Sequence, residues 1–188
     1  MMKIGITGSI ASGKTTASKI LCKKNTPLFS ADKIVKKIYK DKKFKKLVSK
    51  NFGIKENSNF KKKLKSKILN NKIKFNKLEK LVHPLVRKEM NKFSQFYRNK
   101  RFLFYEIPLL VENKLIKKFD LVIFIRANKK IRLKRFKLKG GDIKLFNFLN
   151  SKQLPDKKKI KFCDHVIVNE KNLNILKKKL LNIMQIYV

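Results

Sequence analysis

The chain has 188 residues, which suffices for one packed domain with an insertion or two small lobes sharing a sheet, and excludes a large multidomain assembly. Apolar residues make up 43% of the sequence, with 15 Phe among them, so the composition is that of a globular rather than a disordered protein. The 51 Lys and Arg outnumber the 12 Asp and Glu and give a formal net charge of +39.

Two explanations of this charge are open. Only six of the basic residues are Arg, and the abundant Lys, Asn, Ile and Phe are all specified by A- or T-rich codons, which favours compositional drift. The rival explanation is a nucleic-acid or acidic-membrane surface. The lysine runs 61–63, 157–159 and 177–179 are dispersed along the chain. Dispersion favours drift, so we expect no specific nucleic acid and no membrane as partner.

The two cysteines, Cys22 and Cys163, are too few for a disulfide framework and form no metal-binding pair of C-x-x-C motifs. We interpret both as packing residues of a protein in a reducing compartment. No apolar run reaches the 18 residues of a membrane span. A cytoplasmic protein is therefore expected, while the sequence predicts no particular oligomeric state.

In chain order, the apolar runs and helical periodicities alternate. Short apolar runs that predict buried strands lie at residues 3–8, 27–30, 102–105, 121–125 and 166–168. Helical patterns occur at residues 14–24, from residue 32 onward, and at 131–138, 142–153 and 173–186. Because parallel strands need crossover helices, this order predicts an α/β fold with a five-stranded parallel sheet.

Residues 35–96 are helical and rich in Lys, with Gly53 as the clear break. This block is too long for a simple crossover and predicts a helical substrate lobe beside the sheet, near the strand ends where such folds bind ligands. The predicted units are a core of residues 1–34, 97–135 and 156–188, the helical lobe of 35–96, and a separate segment of 136–155.

Between the first strand and the first helix lies a phosphate-loop motif, Gly8-Ser9-Ile10-Ala11-Ser12-Gly13-Lys14-Thr15, which fits G-x-x-x-x-G-K-[ST] at every fixed position. Glycines in such a loop let backbone N–H groups surround an anion, and the helix N-terminus adds its dipole. The Lys14 ammonium would reach the β and γ phosphates, and the Thr15 hydroxyl would bind Mg²⁺. The motif therefore predicts a P-loop NTPase three-layer fold.

The residues around the loop favour a small kinase. None of the six Asp residues starts the D-x-x-G expected of a GTPase, and Asn128-Lys129-Lys130-Ile131 lacks the Asp of N-K-x-D. A nucleic-acid-dependent ATPase usually needs a larger core. A kinase for a metabolite remains, with a nucleoside monophosphate kinase or another small-molecule kinase as the nearest alternative and a nucleic-acid-binding P-loop protein as a more distant one.

Three acids stand near strand ends. Asp32 follows the second strand, where it could cap a helix, as Ser30 could, or orient the acceptor hydroxyl. Glu106 ends the third strand and could hold the Mg²⁺ shell through water. Glu112 is expected to be solvated or in contact with the helical lobe.

Five segments, in this order, resemble the signatures of the dephospho-coenzyme A kinase family: residues 4–16, 30–34, 82–87, 107–112 and 163–169. The His-Pro-Leu-Val-Arg of 83–87 and the Pro-Leu-Leu-Val-Glu of 108–112 are its most specific parts. The resemblance implies that the γ phosphate of ATP passes to the ribose 3′-hydroxyl of dephospho-CoA, the last step of coenzyme A synthesis. ATP and dephospho-CoA are then the substrates and Mg²⁺ the cofactor.

The resemblance implies that residues 35–96 form an acceptor lobe, residues 136–155 a lid, and the remaining residues a nucleotide-binding core. It also implies residue roles. Asp32 would be the catalytic base, assisted by Lys14, and the acceptor would be bound by Asp32, His83 and Arg87, with His83 and Arg87 one turn apart on a helix. Mg²⁺ would be held by Thr15 and Glu106. The implied ATP-binding residues are Gly8, Ala11, Ser12, Gly13, Lys14, Thr15, Thr16, Arg135 and Lys139.

The chain departs from the family pattern at two places. Ser30 stands where the family usually has the first of two acids, while the second, Asp32, is present. In the lid, the family tends to have Arg and, four residues later, Arg followed by Asp, whereas Arg135 is followed by Lys139 and then Gly140-Gly141-Asp142. Lys139 supplies a charge but no bidentate fork.

Overall fold

A computed structural model describes residues 1–22, 26–57, 59–69 and 71–188, without the side chain of Leu69. The chain divides into two compact units. The core unit comprises Met1–Ser30 and Tyr97–Val188, and the helical unit comprises Ala31–Phe96. The roles of residues 35–96 as an acceptor lobe and of 136–155 as a lid remain predictions.

The core unit is built on a parallel sheet with the strand order β2-β3-β1-β4-β5. The strands are β1 Met2–Gly8, β2 Leu28–Ser30, β3 Phe102–Glu106, β4 Leu121–Arg126 and β5 His165–Val168. The predicted five-stranded parallel sheet is thus confirmed. Continuous apolar runs form these strands because helices cover both faces of a parallel sheet, and Ile4, Leu103 and Ile123 are all fully buried.

Helices follow the strands in the order that the sequence predicts. They are, in chain order, α1 Lys14–Leu21, α2 Ala31–Ile38, α3 Lys42–Phe52, α4 Phe60–Leu69, α5 Lys72–Phe96, α6 Lys129–Lys137, α7 Ile143–Ser151, α8 Asp156–Ile160 and α9 Leu173–Gln185. In the core unit, Ala17 of α1 and Leu176 of α9 pack with Ile4 of β1 in one buried cluster. This packing holds the start of α1 at the carboxyl end of β1.

The helical unit has its own apolar core, formed by residues of α2, α3, α4 and α5. Asp41 caps α3 by accepting a hydrogen bond from the Phe44 amide at 2.8 Å. Gly53, the predicted break, ends the same helix with a φ of 58°. Helix α3 therefore has a defined start and end, and the unit buries its apolar faces, among them Phe44, Val48 and Leu78, against one another.

Pro84 lies inside α5, where burial of Leu78, Val82 and Met90 outweighs the one backbone hydrogen bond that proline cannot donate. Several predicted helix bounds differ from the structure. The helix predicted to start at residue 142 uses Asp142 as its N-cap and ends at Ser151, and Pro155 then precedes the short α8. Residues 23 and 24 of the first predicted helix lie outside the described residues. Within the described part of the chain, the helices are all too short or too polar to cross a membrane.

Candidate functional site

The phosphate loop joins β1 to α1 through a backbone that only glycine tolerates at two points. Gly8 has a φ of 151° and Gly13 a φ of 102°. A Cβ atom on Gly8 would lie 2.3 Å from the Ile125 carbonyl oxygen, and one on Gly13 would lie 2.1 Å from Asn169 Nδ2. The loop is therefore packed directly against the ends of β4 and β5, and its turn requires both glycines.

Lys14 is buried inside this loop, with 7% of its surface exposed. Its Nζ donates a hydrogen bond to the carbonyl oxygen of Ser9 at 3.0 Å. Gly13, the N-cap of α1, has no side chain to satisfy the first amides of the helix. Free amides, a helix dipole and an ammonium at one turn form an anion-binding arrangement.

Thr15 and Glu106 are brought together at the carboxyl edge of the sheet. The Thr15 hydroxyl donates a hydrogen bond to Glu106 Oε1, and the Glu106 carboxylate, at the end of β3, is 3% exposed. A hydroxyl and a carboxylate offer the hard oxygen ligands that Mg²⁺ prefers, and Mg²⁺ usually binds through one or two such groups together with substrate phosphates. The donor set fits this ion.

Arg135 and Asn169 support the far side of the loop. Arg135 Nη1 donates to the Asn169 carbonyl oxygen at 3.0 Å and lies 3.4 Å from the Ser12 carbonyl oxygen. Asn169 Nδ2 donates to the same Ser12 carbonyl at 2.8 Å. Ser12 Oγ is buried and has no hydrogen-bond partner among the described residues. Its hydroxyl lies 2.8 Å from the position of a Cβ built on Gly8, with its hydrogen-bonding capacity unused among the described residues.

The remaining candidates from the loop and the lid are less constrained. Ala11 adopts a φ of 57°, and Thr16 is exposed on the first turn of α1. Lys139 is exposed in the turn between α6 and α7. The structure thus brings Arg135 to the loop but leaves Lys139 at the surface.

The acceptor candidates lie in the helical unit. Asp32 is the second residue of α2 and is exposed, so it lies within the first turn and is not the N-cap. His83 and Arg87 are one turn apart on α5. Burial, and secondarily the charge of Arg87, lower the pKa of His83, so its imidazole is neutral at pH 7. Its Nε2 lies 3.8 Å from Glu79 Oε1 on the same helix.

A buried ion pair beside the loop was missed by sequence analysis. Glu112 is not solvated, since its side chain is 12% exposed and its Oε1 lies 3.3 Å from Lys159 Nζ. Lys159, which was assigned to a dispersed surface run, is fully buried. A run of three lysines conceals which one turns inward, so no local signal distinguishes it from Lys157 and Lys158.

The two cysteines are free, half-buried thiols. Burial, followed by the charge of Glu106, raises the pKa of Cys22 to about 12. Burial, followed mainly by the charge of Asp164, raises the pKa of Cys163 to about 12. Thiols this weakly acidic are poor nucleophiles, consistent with their interpretation as packing residues.

Comparisons with known proteins show which family the chain resembles. The sequence profile of the dephospho-CoA kinase family matches residues 2–174. A dephospho-CoA kinase of Bartonella quintana is 35% identical over 190 residues, which cover 98% of this chain and 97% of that protein. The chain belongs to the dephospho-CoA kinase family.

Solved structures show the same fold. Dephospho-CoA kinase from Campylobacter jejuni matches with a TM-score of 0.64 and 26% identity, over 97% of this chain and 95% of that one. The protein TT1252 from Thermus thermophilus matches with a TM-score of 0.82 over 100% of this chain and 98% of that one, and at 24% identity this likeness shows the fold alone. The P-loop fold is therefore confirmed.

Membership in the dephospho-CoA kinase family establishes the reaction. The chain is a kinase that phosphorylates dephospho-CoA with ATP in coenzyme A biosynthesis. This activity is favoured over a kinase for another small molecule and over a nucleic-acid-binding P-loop protein. The roles of the individual residues remain to be assigned.

Proposed function

We propose that the phosphate loop binds the triphosphate of ATP and that Lys14 moves from Ser9 to the phosphates when ATP binds. The observation that carries this proposal is the turn of Gly8 to Thr15, which two glycines make possible, where no side chain caps the start of α1 and Lys14 Nζ lies on the Ser9 carbonyl. Phosphate oxygens are stronger acceptors for an ammonium than a backbone carbonyl is. Ser12 Oγ, buried without a partner in the described structure, supplies a further donor.

Mg²⁺ fits the Thr15 hydroxyl and the Glu106 carboxylate, which share one hydrogen bond. When bound, the ion would neutralise charge on the β and γ phosphates. Thr15 would hold it directly and Glu106 through water. Arg135, already beside the Ser12 carbonyl, would add its guanidinium to the same phosphates, and Lys139 would contribute charge from the lid.

Asp32 is proposed to orient and deprotonate the ribose 3′-hydroxyl of dephospho-CoA. It lies two residues after Ser30, and Ser30 pairs with Glu106 in the sheet, so the chain leaves β2 at the edge where Glu106 ends β3. Asp32 is exposed and outside the N-cap position, which frees its carboxylate for this role. His83 and Arg87 would bind the acceptor, with Arg87 meeting one of its phosphate groups.

The transfer conserves atoms and electrons. The bond between the γ phosphorus and the β,γ-bridging oxygen breaks, and its electron pair remains on ADP. A bond forms between the 3′ oxygen and that phosphorus, and the hydroxyl proton passes to the Asp32 carboxylate. The chain mainly contributes positioning and charge neutralisation, through Lys14, Arg135 and the loop amides.

The enzyme is proposed to act in the cytoplasm, where its two half-buried thiols would stay reduced. The lysine surface then reflects composition, and no specific nucleic acid is needed as a partner. The 3′ assignment is tested by locating the new phosphate on the product with phosphorus–proton correlation NMR. We expect coupling to the ribose H3′ of the adenosine moiety, and a phosphate at the 2′ oxygen would refute the assignment.

A further inference from the structure

The most deeply buried cation described in the core unit is not part of the phosphate loop. Lys159 of α8 has no exposed surface. Its Nζ donates to Ser9 Oγ at 3.0 Å, lies 3.3 Å from Glu112 Oε1 and stands 5.6 Å from the centroid of the Phe124 ring. The ammonium therefore has a hydroxyl, a carboxylate and an aromatic face around it, all within the core unit.

Ser9 is the loop residue that links this cation to the anion-binding turn. Its hydroxyl is held by Lys159 and donates to Asp156 Oδ1. Its carbonyl oxygen accepts from Lys14 Nζ at 3.0 Å and from the Ser12 amide at 3.1 Å. A shift of Ser9 would therefore move the resting place of Lys14 and the backbone of the turn together.

The next residue of the loop, Ile10, is bound by the same segment of the chain that contains Asp156 and Lys159. The Ile10 amide donates to Gln153 Oε1 at 2.9 Å, three residues before Asp156. Residues 153–159 thus contact two successive residues of the loop outside its glycines. The glycines make the turn possible, whereas these contacts determine where it lies.

Stability alone is a weak explanation of the buried pair. Burying a Lys and a Glu carries a large desolvation penalty, and an apolar pair of similar volume is often as stable or more so. Glu112 Oε2 is also buried without a hydrogen-bond partner among the described residues, which adds to the penalty. Such a pair is better explained by the position that it imposes on Ser9.

We propose that Lys159 is a positioning residue of the kinase: through Ser9 it holds the phosphate loop and the resting Lys14 side chain in the conformation that accepts ATP. Lys159 does not contact the nucleotide in this proposal, and Glu112, 3.3 Å from its Nζ, orients it. The proposal rests on the proposed role of the loop as the ATP site.

The first test replaces Lys159 with Met, which keeps the length of the side chain and removes the ammonium. ATP binding to the full chain is measured by calorimetry, and the KM for ATP and kcat are measured with dephospho-CoA. We expect the Kd and KM for ATP to rise by about tenfold or more, as displacement of a binding loop predicts. The KM for dephospho-CoA should change less than about twofold, since Lys159 does not position that substrate. Lys158→Met, exposed one residue away on α8, is the matched control and should bind ATP like the wild type.

Removing one partner of a buried pair also destabilises the fold, so two further variants separate position from stability. Lys159→Met combined with Glu112→Gln leaves no buried unpaired charge. We expect it to melt at a higher temperature than Lys159→Met alone and still to bind ATP weakly. Ser9→Ala, which removes only the linking hydroxyl, should weaken ATP binding in the same direction.

Normal ATP affinity in a folded Lys159→Met chain, or in the double variant, would overturn the proposal, because Lys159 would then serve only as the counter-ion of Glu112. Normal affinity in Ser9→Ala would overturn the link through Ser9. Wild-type protein and Lys14→Met provide the separate test of the loop itself. If the wild type bound ATP and Lys14→Met bound it equally well, the proposed role of the loop would fail, whatever the Lys159 variants did.

Discussion

The phosphate loop in the core unit and the acceptor candidates in the helical unit differ in how firmly the chain holds them. Lys14, Ser12 and Glu106 are buried and lie within hydrogen-bonded surroundings. Asp32 and Arg87 are exposed on helix surfaces. The proposed nucleotide site is thus built from buried, hydrogen-bonded residues, whereas these two proposed acceptor residues are exposed to solvent. Substitutions in the two units should therefore have different kinetic signatures.

The largest effect is expected from Lys14→Met, which keeps the buried aliphatic stem and removes the ammonium. Loss of a preorganised charge that acts on the transferred group typically costs about 10²- to 10³-fold, and we expect a loss of this size in kcat/KM. Lys19→Met, at an exposed position of α1, is the control, and circular dichroism should show both chains folded. Turnover of Lys14→Met within about tenfold of the wild type would remove Lys14 from the mechanism.

Asp32→Asn should impair activation of the acceptor hydroxyl and leave ATP binding intact. The change keeps size and polarity and removes the carboxylate, so kcat should fall by about a hundredfold, as expected for loss of a general base. The melting temperature should barely change, because Asp32 is exposed and is not the N-cap of α2. ATP affinity, measured by calorimetry, should also be nearly unchanged. An Asn variant that turns over normally would show that the base lies elsewhere.

Arg87→Lys is expected to raise the KM for dephospho-CoA by about tenfold, because lysine keeps the charge but loses the bidentate fork. The KM for ATP should not change. Arg98→Lys, at an exposed position of the core unit, is the matched control. Equal rises in both KM values for Arg87→Lys would contradict the assignment of this arginine to the acceptor side.

The smallest effect concerns the pH dependence of stability. Burial, and then Arg87, lower the pKa of His83 below that of the unfolded chain, so the unfolded state takes up this proton first as the pH falls. The folded state therefore loses stability as the pH falls through about 6.5, the ordinary histidine value. His83→Gln should lose less melting temperature than the wild type between pH 7.5 and 5.5 (a window of about one unit on either side of that value). Parallel curves for the two proteins would show that His83 makes no such contribution.

The sequence predicts features that depend on neighbouring residues, and it does not predict contacts between residues that are distant in the chain. The strands and the phosphate loop are local: apolar runs such as Leu121–Arg126 form buried strands, and the Gly8 and Gly13 spacing defines the turn. Pro84 lies within α5 because tertiary packing of that helix overrides a local helix breaker. Lys159 was missed because its partners, Ser9 and Glu112, are distant in the chain and its neighbours are lysines too. Long-range polar contacts carry no local pattern.

The acid Glu106 shows the intermediate case. Its position at the end of a predicted strand indicated the edge of the sheet on which it lies, since parallel strands end at the same side. Its hydrogen bond to Thr15 could not be predicted, because it depends on β1 and β3 being neighbours with Ile6 beside Glu106. Once the strand order is known, the position of Glu106 beside β1 explains its contact with Thr15.

As a dephospho-CoA kinase, this chain transfers phosphate from ATP to a free hydroxyl of dephospho-CoA. The most direct measurement is the initial rate of ADP formation with dephospho-CoA as acceptor, compared with coenzyme A, which has the same groups except that the 3′ oxygen already carries a phosphate. We predict ADP formation equal to the consumption of dephospho-CoA, and only the acceptor-free background rate with coenzyme A. Equal rates with both acceptors, or ADP formation independent of dephospho-CoA, would contradict the account.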